Sequence, residues 1–202
     1  MHLFPYISMK DKTFFIIPGF KQQASGKQYS WLIKFIKASG WTVVSAPVHW
    51  NNSTLTKNAS DFVSFFSMNK GRENRVLGFS YGAVITLVTA NILRPDHIYL
   101  CSLSPDFKED VDQMPAWIKK FIGKRRIADA LTRSGVTLAK QLEVPSTIFY
   151  GENEGKEFPI LKKRCEDTAR YAPNSKLVVV REASHNISDP QYIEALKREL
   201  NI

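Results

Sequence analysis

Six short apolar runs, each followed by a longer stretch of helical period, constrain this chain more than any other feature. The runs are Thr13 to Ile17, Thr42 to Ala46, Arg75 to Phe79, His97 to Leu103, Ser146 to Tyr150 and Lys176 to Val180. They are rich in β-branched and aromatic residues and of ordinary strand length, and they alternate with candidate crossover helices. Such a pattern is expected of βαβ units, in which helices cover both faces of a parallel sheet. The intervening segments are Gln28 to Ser39, Leu55 to Met68, Ser80 to Leu93, Phe158 to Tyr171 and Pro190 to Leu200. The expected fold class is therefore α/β, a three-layer α/β/α sandwich with a mostly parallel sheet of about six strands. The segment after Ser80 carries Ala83, Val84, Ile85, Leu87, Val88 and Ala90 around most of its circumference, which predicts a helix buried at the centre.

The chain has 202 residues, 44% of them hydrophobic, enough for one substantial core and too few for two comfortable domains. Its ten glycines and ten prolines are scattered, with no low-complexity tract or repeat, so a single domain over residues 1–202 is expected. The connection from about Phe107 to Val144 is longer than a normal loop and has helical patterns of its own, including Pro115 to Arg126. It is expected to form a small excursion above the carboxyl ends of the strands, where open parallel sheets bind ligands.

The first ten residues lack a basic region and Pro5 interrupts their apolar stretch, a poor match to a secretory signal. No run approaches the roughly 20 apolar residues that span a bilayer. Cys101 and Cys165 lie without CxxC or Cys/His metal spacing. Together these favour a reducing, cytoplasmic setting and predict no metal and no cofactor. A net charge of +9 favours anionic partners, but no nucleic-acid recognition motif accompanies it, and no GxGxxG follows the first strand to hold a dinucleotide.

Chemistry enters at Gly78-Phe79-Ser80-Tyr81-Gly82. A GxSxG run is a weak signal alone, and an ordinary strand-to-helix turn capped by serine would also contain one. Its position between the strand Arg75 to Phe79 and an apolar helix gives it weight. There the turn exposes the Ser80 hydroxyl as a candidate nucleophile, and the helix N-terminus favours an oxyanion beside it. A serine needs a base, and the histidines are His2, His49, His97 and His185. His185 lies between the last strand and the last helix, within reach of the strand ends. His49 and Trp50, after the second strand, are the candidate pocket residues, with His49 not favoured as the base; His97 begins its strand at the wrong end, and His2 is terminal.

The base in turn needs a carboxylate to fix its tautomer. Glu154 follows the fifth strand in Tyr150-Gly151-Glu152-Asn153-Glu154, while Asp106 after the fourth strand and Glu152 are the alternative acids. The elbow supplies one oxyanion donor, the amide of Tyr81, and Pro18-Gly19-Phe20 after the first strand offers a second at Phe20, unless it is a simple Pro-Gly turn.

From Phe14-Phe15-Ile16-Ile17-Pro18-Gly19-Phe20 through Gly78-Phe79-Ser80-Tyr81-Gly82 to the terminal helix, the sequence resembles the α/β-hydrolase superfamily, and within it the short cytosolic serine hydrolases with reduced N-terminal strands. The resemblance implies Ser80 as nucleophile, His185 as base, Glu154 as acid, and Phe20 and Tyr81 as oxyanion donors. Glu stands here where Asp is commoner, and Pro18-Gly19 where His-Gly is familiar. The implied activity is cleavage of a carboxyl ester or thioester, with a small-molecule substrate that the basic charge would let be anionic. The alternative is a noncatalytic scaffold that binds an anionic partner or a membrane surface through its basic face. Segment 115–126 bears on that alternative, because Trp117, Ile118, Phe121 and Ile122 alternate with Lys119, Lys120, Lys124, Arg125 and Arg126 in a basic amphipathic pattern that either packs on the core or meets a peripheral membrane surface.

Overall fold

A computed structural model describes residues 11–51 and 53–202; His2 lies outside the described residues. In chain order the elements are β1 (Lys12–Ile17), α1 (Ser30–Ala38), β2 (Thr42–Ser45), α2 (Leu55–Asn69), β3 (Glu73–Phe79), α3 (Tyr81–Leu93), β4 (His97–Cys101), α4 (Lys108–Val111), α5 (Ala116–Ile122), α6 (Lys124–Ala130), α7 (Gly135–Lys140), β5 (Ser146–Gly151), α8 (Glu152–Glu157), α9 (Pro159–Tyr171), β6 (Ser175–Val180) and α10 (Pro190–Glu199). The six strands form one sheet in the order β2-β1-β3-β4-β5-β6, and every pair is parallel. Each expected strand is present within two residues at either end.

The strands sort their side chains by the period of two that a pleated strand imposes. Phe15, Ile17, Val76, Ile98, Leu100, Ile148 and Tyr150 point to one face and join Phe62 and Phe66 of α2, the apolar residues of α3, and Leu161 and Cys165 of α9. Their neighbours Phe14, Ile16, Leu77, Tyr99, Cys101, Phe149 and Val178 point to the other face and meet Leu32 and Ile36 of α1 and Tyr192 and Leu196 of α10. Two cores, one on each face, make the three-layer α/β/α sandwich. Helix α3 is buried from Tyr81 through Leu87, as its uninterrupted apolar surface predicts.

The chain runs from β1 outward to β2 and then returns across β1 to β3. Loops leaving β1 and β3 therefore part in opposite directions and leave a crevice at their carboxyl ends, the usual ligand position in open α/β sheets. Between β4 and β5 the chain rises into the four short helices α4 to α7. The expected continuous helix over Pro115 to Arg126 is instead two. Gly123 has φ +88, a left-handed conformation that only glycine adopts without strain, and it separates α5 from α6.

The excursion is tied down by charge. Arg164 of α9, 2% exposed, donates from Nη2 to Asp110 Oδ1 at 2.6 Å and from Nε to both Asp110 oxygens at 3.1 and 3.0 Å. Burial raises the Asp110 pKa, and the guanidinium opposes that rise.

Candidate active site

Ser80 sits at φ 55, ψ −116, a backbone conformation rarely taken by a side-chain-bearing residue and one that costs roughly 1–3 kcal/mol. Packing imposes it. A Cβ on Gly82 would lie 2.2 Å from the Ile17 carbonyl oxygen, and one on Gly78 would lie 2.3 Å from the Gly82 carbonyl oxygen. Both elbow glycines are required because α3 starts directly against the ends of β1 and β3. The same close approach brings the loop after β1 beside Ser80.

His185, in the loop between β6 and α10, places Nε2 3.1 Å from Ser80 Oγ. Its Nδ1 bonds Glu154 Oε1. Glu154 is fully buried, and its other oxygen accepts from Ser102 Oγ at 2.9 Å and from the Gly151 amide at 2.8 Å. The second bond arises because Glu154 is the third residue of α8 and reaches back to the amide before the helix, as capping glutamates do. A Cβ on Gly151 would lie 2.3 Å from the Ala183 carbonyl oxygen, which itself accepts the amides of Asn153 and Glu154. The loops carrying Glu154 and His185 are thereby stitched together. Phe79 and Phe158 flank the imidazole, with ring centroids 5.0 and 6.4 Å away.

Phe20 and Tyr81 face each other across this crevice, their rings 6.5 Å apart. As the first residue of α3, Tyr81 has an amide without an intrahelical acceptor. Neither it nor the Phe20 amide donates in the turn and loop hydrogen bonds of the described residues. The loop bearing Phe20 is held by Tyr29, whose hydroxyl accepts from the Gly19 amide at 3.0 Å and donates to Gln22 Oε1 at 2.6 Å; burial pushes its pKa up and keeps it neutral. Asn58 donates to the Tyr81 hydroxyl at 3.3 Å, and burial raises that phenol to about 12.

The other candidates fall elsewhere. Asp106 is on the wall of the same cavity but makes no bond to His185; burial in that wall pushes its carboxyl up to about 6. Glu152 turns away, pairing with Lys156 and accepting the Glu182 amide, and these contacts lower its pKa. His49 is exposed and outside the cavity lining. Trp50 stands behind Phe20 at 5.4 Å, with Nε1 donating to the Gln22 carbonyl at 3.2 Å. His97 lies in a separate polar cavity, bonded to Thr147, with its pKa lowered to about 4 by burial and Arg75.

Sequence reasoning missed four contributions: Ser102, which donates to Glu154; Tyr192, whose hydroxyl bonds Ser102; Asn58, which donates to Tyr81; and the contact of Arg126, read there only as part of a basic cluster, with Phe20. The Arg126 guanidinium lies 4.8 Å from the Phe20 ring centroid and donates to the carbonyls of Trp50 at 2.6 Å and Ser53 at 3.2 Å. No short-range pattern marks them. Ser102 alone carries a local sign in the structure, φ +52 at a non-glycine residue.

Ser80 and His185 open into a cavity of about 440 Å³. Met114, Ile118, Ile122, Phe158, Ile160 and Leu161 give it a predominantly apolar wall, with Asp106, Arg126 and Glu157 as its charged groups. Among the described residues no cluster of three or more His, Cys, Asp or Glu is arranged to hold a metal ion.

The sequence matches no protein-family model and no curated relative. The fold, by contrast, recurs among solved structures. Est1E from Butyrivibrio proteoclasticus is similar with a TM-score of 0.79 at 15% identity, over 97% of this chain and 89% of that one. The mouse alpha/beta hydrolase domain-containing protein 10 superposes with a TM-score of 0.78 at 14% identity, over 96% and 90%. The esterase Pf2001 from Pyrococcus furiosus gives 0.66 at 16% identity, over 95% and 81%. The chain thus has the α/β-hydrolase fold, as the resemblance in its sequence implies.

Proposed function

We propose that this protein is a serine hydrolase that cleaves a carboxyl ester or thioester through an acyl-enzyme, with Ser80, His185 and Glu154 as its catalytic triad. The observation that carries the reading is the hydrogen-bonded chain from Ser80 Oγ through the His185 imidazole to a fully buried Glu154, opening into an apolar cavity. Several neighbours of the fold are named as esterases or hydrolases, which supports hydrolysis in general. Two free, buried cysteines accord with a reducing compartment such as the cytoplasm.

In this mechanism Ser80 Oγ attacks the substrate carbonyl carbon while His185 Nε2 takes its proton. Glu154 holds the Nδ1 proton and stabilises the imidazolium. The carbonyl oxygen becomes an oxyanion that accepts from the amides of Phe20 and Tyr81, beside the positive end of α3. His185 returns the proton to the leaving alcohol or thiol as its bond to the carbonyl carbon breaks, leaving an ester on Ser80. Water then attacks that ester, His185 takes a proton from it, and the carboxylic acid departs as Ser80 regains its hydrogen.

The cavity favours an apolar acyl or alcohol group of moderate size. Its lining holds one guanidinium, Arg126, and two carboxyl groups, Asp106 and Glu157, and so gives no excess of positive charge to hold an anionic substrate. A fluorophosphonate probe should label Ser80, and Ser80→Ala should lose both labelling and turnover of a chain-length series of p-nitrophenyl esters. Absence of labelling in the wild-type protein, or full turnover by the alanine variant, would overturn the reading in favour of the noncatalytic scaffold.

A further inference from the structure

Helix α5 buries none of its residues. Ile118 and Ile122 turn inward to a small cluster with Val111, Met114 and Ala130, whereas Trp117 and Phe121, four residues apart and therefore on one face, are 66% and 64% exposed. Two large aromatic side chains standing in water at the rim of an apolar cavity form a patch that a monomeric surface seldom carries without a partner. The expectation that this face packs on the core is not met for these two residues.

Charge says what the partner is. Lys120, Lys124 and Arg125 are exposed and Lys119 is half-buried, and none of the four takes part in an ion pair of the described residues. The Lys21 ammonium joins them, 5.6 Å from the Phe121 ring centroid. Asp129, one turn further along α6, is already held by Thr56 and Arg133. A second copy of the chain would set these cations against themselves. An anionic lipid surface complements both parts: aromatic rings enter the layer between headgroups and acyl chains while the cations meet phosphates.

We propose that α5 and the first turn of α6 dock the protein on an anionic lipid surface, with Trp117 and Phe121 inserted at the interface and Lys119, Lys120, Lys124 and Arg125 paired to headgroups. The geometry would turn the mouth of the cavity toward the bilayer. Docking does not depend on the hydrolase reading, and each can fail alone: vesicle binding is measured without any substrate, and Ser80 labelling without any lipid.

The test is sedimentation with vesicles of phosphatidylcholine, with and without an equal part of phosphatidylglycerol, at low and high salt. Binding should require phosphatidylglycerol and weaken with salt. The variant K120E/K124E/R125E should lose at least on the order of 100-fold in partitioning, since each basic residue removed contributes roughly fivefold at an anionic surface, while thermal unfolding reports that it remains folded. Trp117→Ser with Phe121→Ser should also release the protein from vesicles. No binding to phosphatidylglycerol vesicles, or binding indifferent to either variant, overturns the proposal. A concentration-dependent dimer in light scattering that the aromatic variant abolishes would overturn it in favour of self-association.

Discussion

Ser102 Oγ lies 2.9 Å from Glu154 Oε2 and 3.0 Å from the Tyr192 hydroxyl, with all three residues fully buried. A carboxylate with no access to water depends on such donors, because an unpaired buried charge is far costlier than a paired one. Ser102 makes this contact from a backbone at φ +52, a sparsely populated conformation just after β4. Ser102→Ala should leave Glu154 Oε2 with the Gly151 amide alone and the Tyr192 hydroxyl without its partner. Expected results are a kcat roughly 10-fold or more lower with KM little changed, and a loss of about 1–3 kcal/mol in urea unfolding, the cost of an unsatisfied buried polar group. Unchanged kcat would show that the Gly151 amide suffices.

The three carboxyl candidates separate cleanly by substitution. In the proposed triad Glu154 orients and stabilises His185, and Glu154→Gln keeps the shape but removes the charge, so kcat should fall on the order of 10³-fold or more. Glu152→Gln, at a surface pair with Lys156, and Asp106→Asn, on the cavity wall without contact to His185, should leave kcat within a few-fold of wild type. Activated-ester turnover decides it. A collapse in the Asp106 variant alone would move the acid to the loop after β4.

Gly82→Ala tests why Ser80 is held in its strained turn. The added methyl would sit 2.2 Å from the Ile17 carbonyl oxygen and 2.7 Å from that of Pro18, with backbone rather than a flexible side chain in the way. Helix α3 must then shift from the end of β1, which also moves Phe20 relative to Ser80. We expect roughly 1–3 kcal/mol of destabilisation from overpacking, and a fall in kcat beyond any change in folded fraction, measured by thermal unfolding and by turnover per labelled Ser80.

The buried pair between Asp110 and Arg164 should behave asymmetrically. Asp110→Ala leaves a guanidinium that is 2% exposed with only the longer Glu109 contact at 3.8 Å, and up to about 3–5 kcal/mol of stability should go with it. The apolar pair Asp110→Leu with Arg164→Met should recover most of that loss, because neither desolvated charge remains. Urea unfolding of Asp110→Leu, Arg164→Met and the double variant gives the coupling directly; a loss in the double variant as large as that in Asp110→Ala would contradict it.

The parts of the fold legible in the sequence are those written in consecutive residues. Val76 and Leu77, or Phe14 through Ile17, show burial on both faces at once, so the strands, their parallel pairing and the central placement of α3 could be read directly. Ser80, His185 and Glu154 could be placed because each follows a readable strand, and the structure brings these three together. What stayed hidden depends on pairs distant in sequence. Ser102 meets Glu154 across 52 positions, and Arg126 reaches Trp50 across 76. The split of α5 from α6 was signalled only by Gly123, and a glycine inside an amphipathic pattern does not by itself reveal a positive φ.

Asp106 links the cavity to the pH dependence of stability. Its carboxyl is pushed up from 3.8 to about 6, first by burial and further by Asp110, against the opposing effects of Ser104 and Arg126. Below the lower value the group is protonated in both the folded and the unfolded chain and has no effect. Between the two values the fold retains a proton that the unfolded chain has released, so this residue makes stability fall as pH rises. Above about 6 the cost is complete, with an upper limit of about 3 kcal/mol that partial exposure of the side chain reduces. Asp106→Asn removes the titration while keeping the shape. It should be more stable than the wild type near pH 8, and the advantage should shrink through the window from about 6 to about 4 and vanish below it. Urea midpoints across that range measure the difference, and an advantage that grew toward acid would reverse the assigned sign.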